Sequence, residues 1–219
     1  MRPELLKLGI DVAERTVSRL IPKRPLRPSQ TWRTFLSNHV QDLVSIDFFT
    51  PTARLRVLFV LVVLAHHRRR VLHFNVTEHP TAAWTAQQIV DTFPDDTAPA
   101  YLLRDRDAMY GDAFRQRVKG MRIQEVLTAA RRPWWQNPFA ERLIGSIRRD
   151  CLDHVLVLSE RHLRHVLTRY LAYYHHTRTH LALTKDAPDR RPVEPPELGK
   201  VVPIREVGGL HHRYVRQAA

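Results

Sequence analysis

The chain has 219 residues, of which 43% are hydrophobic, so it is long enough for one folded domain with small appendages. Its 35 lysines and arginines against 22 acidic residues give a net charge of +13, which favours a polyanion such as nucleic acid as partner. The single cysteine excludes a disulfide framework, and the longest apolar run, residues 57–65, is too short to cross a bilayer, so we expect a cytoplasmic protein without membrane contact.

Residues 1–30 are predicted to form an accessory segment. Two short helical stretches flank Gly9 in the first 21 residues, a pattern typical of helix, turn, helix. The sequence PKRPLRP at 22–28 contains three prolines and three basic residues, and we expect an extended linker there. Such a motif is expected to need further supporting helices, which residues 1–30 do not predict. The segment is therefore interpreted either as the remnant of a helix-turn-helix DNA-binding module or as a hairpin that contacts no DNA.

Three strands are predicted next. Residues 42–50, 57–65 and 71–77 are rich in β-branched and aromatic side chains and are separated by short basic turns. The second run could also be a buried helix, but its length and its valines favour a central strand. The short connections favour antiparallel pairing.

Helices and strands alternate in the rest of the predicted core. Thr81 is a candidate cap for the first of these helices, and Pro94 follows its end. The order βββαβαβα predicts an α/β fold, a mixed five-stranded sheet flanked by helices as in ribonuclease H-like proteins. The predicted core covers residues 31–186, and five prolines in residues 187–219 predict an irregular tail. After the first three strands, the predicted elements are a helix at 81–93, a strand at 100–104, a helix at 111–119, a strand at 122–127, a helix from Pro138 and a helix at 159–177.

Three acidic residues lie within or beside predicted apolar elements, where a charged side chain is unfavourable unless it has a function. Asp47 interrupts the apolar strand SIDFF, Asp105 directly follows the strand YLLR, and Glu141 lies in the first turns of a helix. An isolated acidic residue in a strand is more often a solvated edge residue than a ligand. Asp107 is an alternative to Asp105, since residues two apart on a strand face the same way, but the 35 residues between Asp105 and Glu141 favour Asp105.

The sequences around these acids, SIDFFT, LLRDRDAMYGDAF and RRPWWQNPFAERLIGSIRRDCLDH, resemble the catalytic blocks of bacterial insertion-sequence transposases with a retroviral-integrase-type core. The resemblance covers about residues 35–190. It implies that Asp47, Asp105 and Glu141 are catalytic and hold two Mg²⁺ ions, or Mn²⁺ in their place, for DNA strand cleavage and strand transfer. It also implies double-stranded DNA as partner, both element ends and target, and a homo-oligomer on DNA at the bacterial nucleoid. A transposition-defective DNA-binding remnant and a nuclease that only hydrolyses are the alternatives.

Further residues are predicted to support the three acids. Asn137 is a candidate cap and Pro138 a helix start, which would place Glu141 near the positive end of the helix dipole and keep it ionised. Helical spacing predicts that Gly145, Arg148 and Arg149 share the face of Glu141. Alternatively, the arginines form a solvated basic face and one of the tryptophans fills the core. The predicted DNA-binding residues are Arg131, Arg132, Trp134, Trp135, Arg142, Arg148 and Arg149.

The three histidines near the end of the last predicted helix are not predicted to bind a metal ion. His176 and His180 have helical spacing, but no acidic or thiolate partner lies at ligand spacing from them. A helix that packs Tyr170, Leu171 and Tyr174 inward would leave His175, His176 and His180 outside or facing phosphate.

Overall fold

The computed structural model describes residues 31–53, 56–95, 97–128 and 137–218, together with residues 13 and 16. The chain divides into two compact units, Met1–Phe35 and Leu36–Ala219. Nearly all of the predicted helix-turn-helix segment therefore lies outside the described residues. Helix α1 (Trp32–Asn38) is the first described element.

A mixed five-stranded sheet forms the centre of the second unit. Strand β1 pairs antiparallel with β2 and parallel with β4, while β2 pairs antiparallel with β3 and β4 pairs parallel with β5. The sheet order is β3-β2-β1-β4-β5. This confirms the predicted mixed sheet and the antiparallel pairing of its first three strands. The strands are β1 (Leu43–Phe49), β2 (Phe59–Ala65), β3 (Val71–Thr77), β4 (Tyr101–Arg104) and β5 (Gln124–Leu127).

Strand β2 is apolar throughout because both faces of the sheet are covered. Val60, Val62 and Leu64 belong to one hydrophobic cluster, whereas Leu61 and Val63 belong to the other. Successive side chains of a strand point to opposite faces, so the two clusters lie on opposite sides of the sheet. The run that could have been a buried helix is thus a central strand, as its valines predicted.

The helices divide between the two faces. Helices α2 (Ala82–Thr92) and α3 (Asp112–Gly120) pack with Leu61 and Val63, and helices α4 (Pro138–Asp150) and α5 (Glu160–His176) pack with the other cluster. The Thr81 side chain accepts a hydrogen bond from the Trp84 N–H at 3.2 Å, as predicted for a cap of α2. Within the described ranges, no helix combines the length and apolarity needed to cross a membrane.

The end of the chain differs from the predicted irregular tail. Strands β6 (Lys200–Glu206) and β7 (His211–Gln217) pair antiparallel along their whole length. Pro203 is compatible with a two-stranded ribbon, because each strand has an outward side on which no N–H donor is needed. Gly208 and Gly209, with φ of 67° and 94°, provide the left-handed turn. The Gly-Gly pair between two runs rich in β-branched and aromatic residues was the overlooked sequence signal.

Candidate active site

Strand β1 carries Asp47 toward the face of the sheet that α4 covers. Val44 and Ile46 pack with the cluster of α2 and α3, while Phe49 packs with that of α4 and α5, so the intervening Asp47 points to the α4 side. Its Oδ1 accepts a hydrogen bond from the Phe48 N–H at 2.8 Å. The carboxylate is therefore half-buried between the sheet and the helix that carries Glu141.

The pairing of β4 with β1 places Asp105 beside Asp47. Ser45 lies opposite Leu103 in the parallel ladder, and two residues farther along each strand are Asp47 and Asp105. The Asp105 Oδ1 accepts a hydrogen bond from the Asp107 N–H at 3.0 Å, which turns the chain directly after the strand. Asp107 is exposed, and its own Oδ1 accepts from the Met109 N–H at 3.0 Å.

Helix α4 supplies Glu141 from its first turn. The helix begins at Pro138, as predicted, and Asn137 occupies the cap position. The Asn137 side chain does not cap the helix, and its Nδ2 donates to Asp47 Oδ2 at 3.4 Å. Partial burial raises the pKa of Glu141, with Arg148 opposing and Asp105 adding to this rise. That Glu141 is ionised at neutral pH stays a prediction.

These carboxylates line one cavity of about 590 Å³. Burial is the largest cause that raises the pKa of Asp47 to about 7, and Glu141, Asp105 and Asp107 raise it through charge repulsion, while the Phe48 N–H opposes them. Burial also raises the pKa of Asp105. The cavity therefore concentrates negative charge that a cation would stabilise. Its polar lining is Asp47, Thr50, Asp105, Asp107, Tyr110, Glu141 and Arg148.

The donor chemistry of the cavity fits a hard divalent cation, which prefers carboxylate oxygens. In the part of the chain that the structure describes, no three His, Cys, Asp or Glu side chains form a ready-made metal site. The carboxylates share a cavity without a closed ligand shell, as expected for like charges that repel each other. The Asn137 Oδ1, beside Asp47, is buried and lacks a hydrogen-bond partner among the described residues, so a further polar group fits there.

The predicted DNA-binding arginines of α4 line two different cavities. Arg148 lines the carboxylate cavity, and its Nη2 donates to the Thr50 carbonyl oxygen at 3.2 Å. Arg142 and Arg149 line a different cavity. Arg149 lies eight residues after Glu141, which turns it about 80° away around a helix of 3.6 residues per turn. The predicted loop residues Arg131, Arg132, Trp134 and Trp135 lie outside the described residues.

Two side chains at the site were not predicted to contact it. The Tyr110 hydroxyl is buried without a hydrogen-bond partner among the described residues, and burial, with Asp47 and Asp105, holds the pKa of Tyr110 well above its usual value. Its ring packs against Phe48 at 5.8 Å between centroids. Asn137 was predicted only as a cap. The sequence contained no periodic signal for either contact, because both depend on the packing of loops against β1.

Comparisons with known proteins agree with this fold. Residues 121–188, about a third of the chain, match the Integrase core domain family. The chain also resembles a chain of the simian T-cell lymphotropic virus intasome in complex with the PP2A regulatory subunit B56 gamma, with a TM-score of 0.54 and 13% identity. That match covers 80% of this chain and 66% of the viral chain, so the protein spans just under two thirds of its length.

The HTLV-2 integrase catalytic core domain, solved with magnesium in a dimeric form, gives a TM-score of 0.51 at 11% identity. Here the match covers 68% of this chain and 94% of the viral domain. The chain has an integrase-core fold. No curated protein sequence matches it at a significant level.

Gly145 lies at the carboxylate cavity, and replacing it tests whether a residue without a side chain is needed there. A Cβ at Gly145 would lie 3.0 Å from Arg149 Nη1, the end of a flexible side chain that can move aside. Because glycine is unfavourable inside a helix, we expect Gly145→Ala to raise the free energy of unfolding by about 0.5 to 1 kcal/mol. Thermal unfolding measures this gain, and an equal or lower midpoint would contradict it.

Gly120→Ala is the matched control for Gly145→Ala. Gly120 ends α3, and nothing lies within 4 Å of the position of an added Cβ. Gly145 lines the carboxylate cavity, whereas Gly120 does not. We therefore expect the methyl group of Gly145→Ala to reduce the space in the carboxylate cavity and that of Gly120→Ala to leave the cavity unchanged.

Proposed function

We propose that the protein is a DNA strand transferase, a transposase or integrase, with Asp47, Asp105 and Glu141 as its catalytic carboxylates. The observation that carries the proposal is that carboxylates from a strand, from the end of the neighbouring strand and from a helix line one cavity. The integrase-core fold and the family match over residues 121–188 support it. A family of this kind acts as a polynucleotidyl transferase.

We further propose that Asp47, Asp105 and Glu141 would hold two Mg²⁺ ions, or Mn²⁺ in their place. Bound there, the ions would activate the attacking oxygen and stabilise the leaving oxygen at a DNA phosphodiester. The raised pKa values of Asp47 and Asp105, caused chiefly by burial and further by charge repulsion, support this assignment, since a dication would stabilise their ionised forms.

The chain's own side chains have separate tasks in this proposal. Arg148 is exposed at the cavity, where its guanidinium can bind a DNA phosphate in a bidentate manner. Asn137 donates to Asp47 Oδ2 and so orients the carboxylate. The rings of Phe48 and Tyr110 cover one side of the cavity and restrict water there.

The cellular setting of the proposal rests on the sequence. The net charge of +13 supports double-stranded DNA as partner, and the resemblance of the three acidic blocks to insertion-sequence transposases supports element ends and a target as its substrates. Two DNA ends must be handled together for transposition, so we propose a homo-oligomer on DNA in the bacterial cytoplasm.

The test is to incubate purified protein with a labelled duplex that has a recessed 3′ end and with supercoiled plasmid, in Mg²⁺, Mn²⁺ or EDTA. Metal-dependent transfer of label into plasmid that Glu141→Gln abolishes supports the proposal. The control is Glu197→Gln, which removes an exposed carboxylate outside the cavity and should retain joining. Cleavage without joining identifies a nuclease, and DNA binding without cleavage identifies a non-catalytic remnant. Either result contradicts strand transfer.

A further inference from the structure

A second cavity, of about 400 Å³, lies on the other side of α4 from the carboxylates. The two sides follow from helical spacing. Glu141, Ile144, Gly145 and Arg148 repeat at three and four residues and line the first cavity. A second stripe, displaced by one residue along the chain, lines the new cavity with Phe139, Arg142, Leu143, Ser146 and Arg149.

The second cavity is strongly basic. Arg142 and Arg149 from α4 meet Arg69, from the turn between β2 and β3, and Arg178, which follows α5. Arg178 Nε donates to Asp150 Oδ2 at 2.9 Å and is thereby neutralised. Among the described residues, none forms a salt bridge with Arg69, Arg142 or Arg149. Three positive charges around one cavity thus have no carboxylate partner in that part of the chain.

The burial and the backbone conformation of Arg69 at the cavity are both energetically unfavourable. It is half-buried, and burial lowers its pKa, with repulsion from Arg142 and Arg178 acting in the same direction and Tyr174 opposing. Its φ of 57° is in the left-handed region, as is that of Arg68 at 51°. Such a backbone in residues other than glycine costs about 1 to 3 kcal/mol each and is often found at binding sites.

The Arg68 side chain accounts for the position of this turn. Its Nε donates to the Pro188 carbonyl oxygen at 2.7 Å, and its Nη2 donates to Asp186 Oδ2 at 2.8 Å. These bonds fix the turn to the segment after α5. The adjacent Arg69 guanidinium then lies over the Phe139 ring, 5.2 Å from its centroid, at the edge of the cavity.

His180 adds a buried donor without an acceptor. Its side chain lines the cavity and is 7% exposed. Arg178 Nη1 donates to His180 Nδ1 at 3.4 Å, which places the remaining ring hydrogen on Nε2. That Nε2 is buried and has no hydrogen-bond partner among the described residues. Burial, with Arg178 and Arg69, lowers the pKa of His180 to about 4, so the ring is a neutral donor at pH 7.

We propose that this second cavity binds a phosphate of the DNA backbone, separately from the DNA that meets the carboxylates. Guanidinium groups bind phosphate oxygens in bidentate fashion, and a buried N–H donor completes such a site. The inference rests on the proposed function only in its choice of DNA as the source of the phosphate. Arg149 lies eight residues from Glu141, about 12 Å along the helix axis. This spacing and the different sides of α4 separate the second phosphate contact from the carboxylates.

The test measures DNA affinity in EDTA, where cleavage cannot occur. A fluorescent duplex of unrelated sequence is titrated with the full chain by anisotropy at several salt concentrations. For Arg142→Gln/Arg149→Gln we expect the slope of log affinity against log salt to become shallower by about 0.9, the value for one lost phosphate contact. Two duplexes of different sequence should give the same change, because phosphate contacts carry no base information.

Arg117→Gln/Arg169→Gln is the control and removes the same charge. Both arginines are exposed on helices and line neither cavity. We expect this variant to keep the wild-type slope, and equal thermal midpoints of the two variants show that both fold. Equal slopes for the two double variants would overturn the inference. So would binding of inorganic pyrophosphate that depends on Arg142 and Arg149 while the DNA slope does not.

Failure of this inference is distinguishable from failure of the proposed function. Strand transfer that depends on Glu141, combined with an unchanged salt slope, overturns only the second phosphate site. A shallower slope in a protein that does not cleave DNA supports the second site and contradicts the enzyme.

Discussion

Asp105→Asn is expected to slow Mg²⁺-dependent DNA strand cleavage by about 10³-fold or more. Asp105 lies level with Asp47 across the parallel pair of β1 and β4, and both carboxylates line the same cavity. A metal ion contributes several kcal/mol of transition-state stabilisation, and about 1.4 kcal/mol corresponds to a factor of ten in rate. Single-turnover cleavage of a labelled duplex measures the effect without interference from product release.

Asp107→Asn is the matched control for Asp105→Asn, since it changes the other carboxylate of the same loop. Asp107 is exposed, and its side chain accepts a hydrogen bond from the Met109 N–H, a bond that an asparagine oxygen can keep. We expect cleavage to fall by less than about tenfold. If Asp107→Asn abolished cleavage and Asp105→Asn did not, Asp107 rather than Asp105 would be the second catalytic carboxylate.

Asp47→Asn is expected to stabilise the protein at pH 8 in the absence of divalent cations. The folded chain raises the pKa of Asp47 from an ordinary 3.8 to about 7, chiefly through burial. Between these values the unfolded chain releases a proton that the folded chain keeps, so rising pH favours unfolding until the folded carboxyl ionises as well. The free energy of unfolding should thus fall between about pH 4 and 7, and removing the carboxyl should restore about 2 to 4 kcal/mol at pH 8.

Urea unfolding of both proteins at pH 5 and pH 8 with EDTA measures this effect. The stability difference between the two proteins should be roughly half as large at pH 5 as at pH 8, because the unfolded carboxyl is already ionised at pH 5. At pH 8, Mg²⁺ should stabilise wild type more than Asp47→Asn. Asp153→Asn, which changes an exposed carboxylate outside the carboxylate cavity, should follow the wild-type curve. Parallel pH curves for wild type and Asp47→Asn would show that burial does not perturb Asp47.

The central sheet was predictable because its signals are local. Because both faces of the sheet are covered, β2 is apolar throughout and helices alternate with strands after it, and both patterns can be recognised in the sequence. Thr81 and Pro138 marked helix starts for equally local reasons. The positions of Asp47 and Asp105 followed from strands whose ends the sequence indicates, and the structure places both in one cavity.

The features that the sequence did not predict depend on the direction in which each helical residue faces and on contacts between segments far apart in the chain. Arg148 and Arg149 are adjacent, yet one faces the carboxylates and the other faces the basic cavity, because one residue turns a helix by about 100°. The arginines beyond α4 that complete the basic cavity, Arg69 and Arg178, come from segments far apart in the chain. Asn137 was expected to cap its helix, but its side chain makes no cap hydrogen bond and its Nδ2 donates to Asp47, a residue 90 positions away in the chain.

Helix α4 carries side chains of both cavities. It is continuous over 13 residues, and its third stripe, which includes the buried Ala140 and Ile147, packs into the core. A helix fixed in this way moves as a rigid body, so its rotation would displace Glu141 and Arg149 together. A change in how α4 packs therefore alters the carboxylate cavity and the basic cavity in the same event.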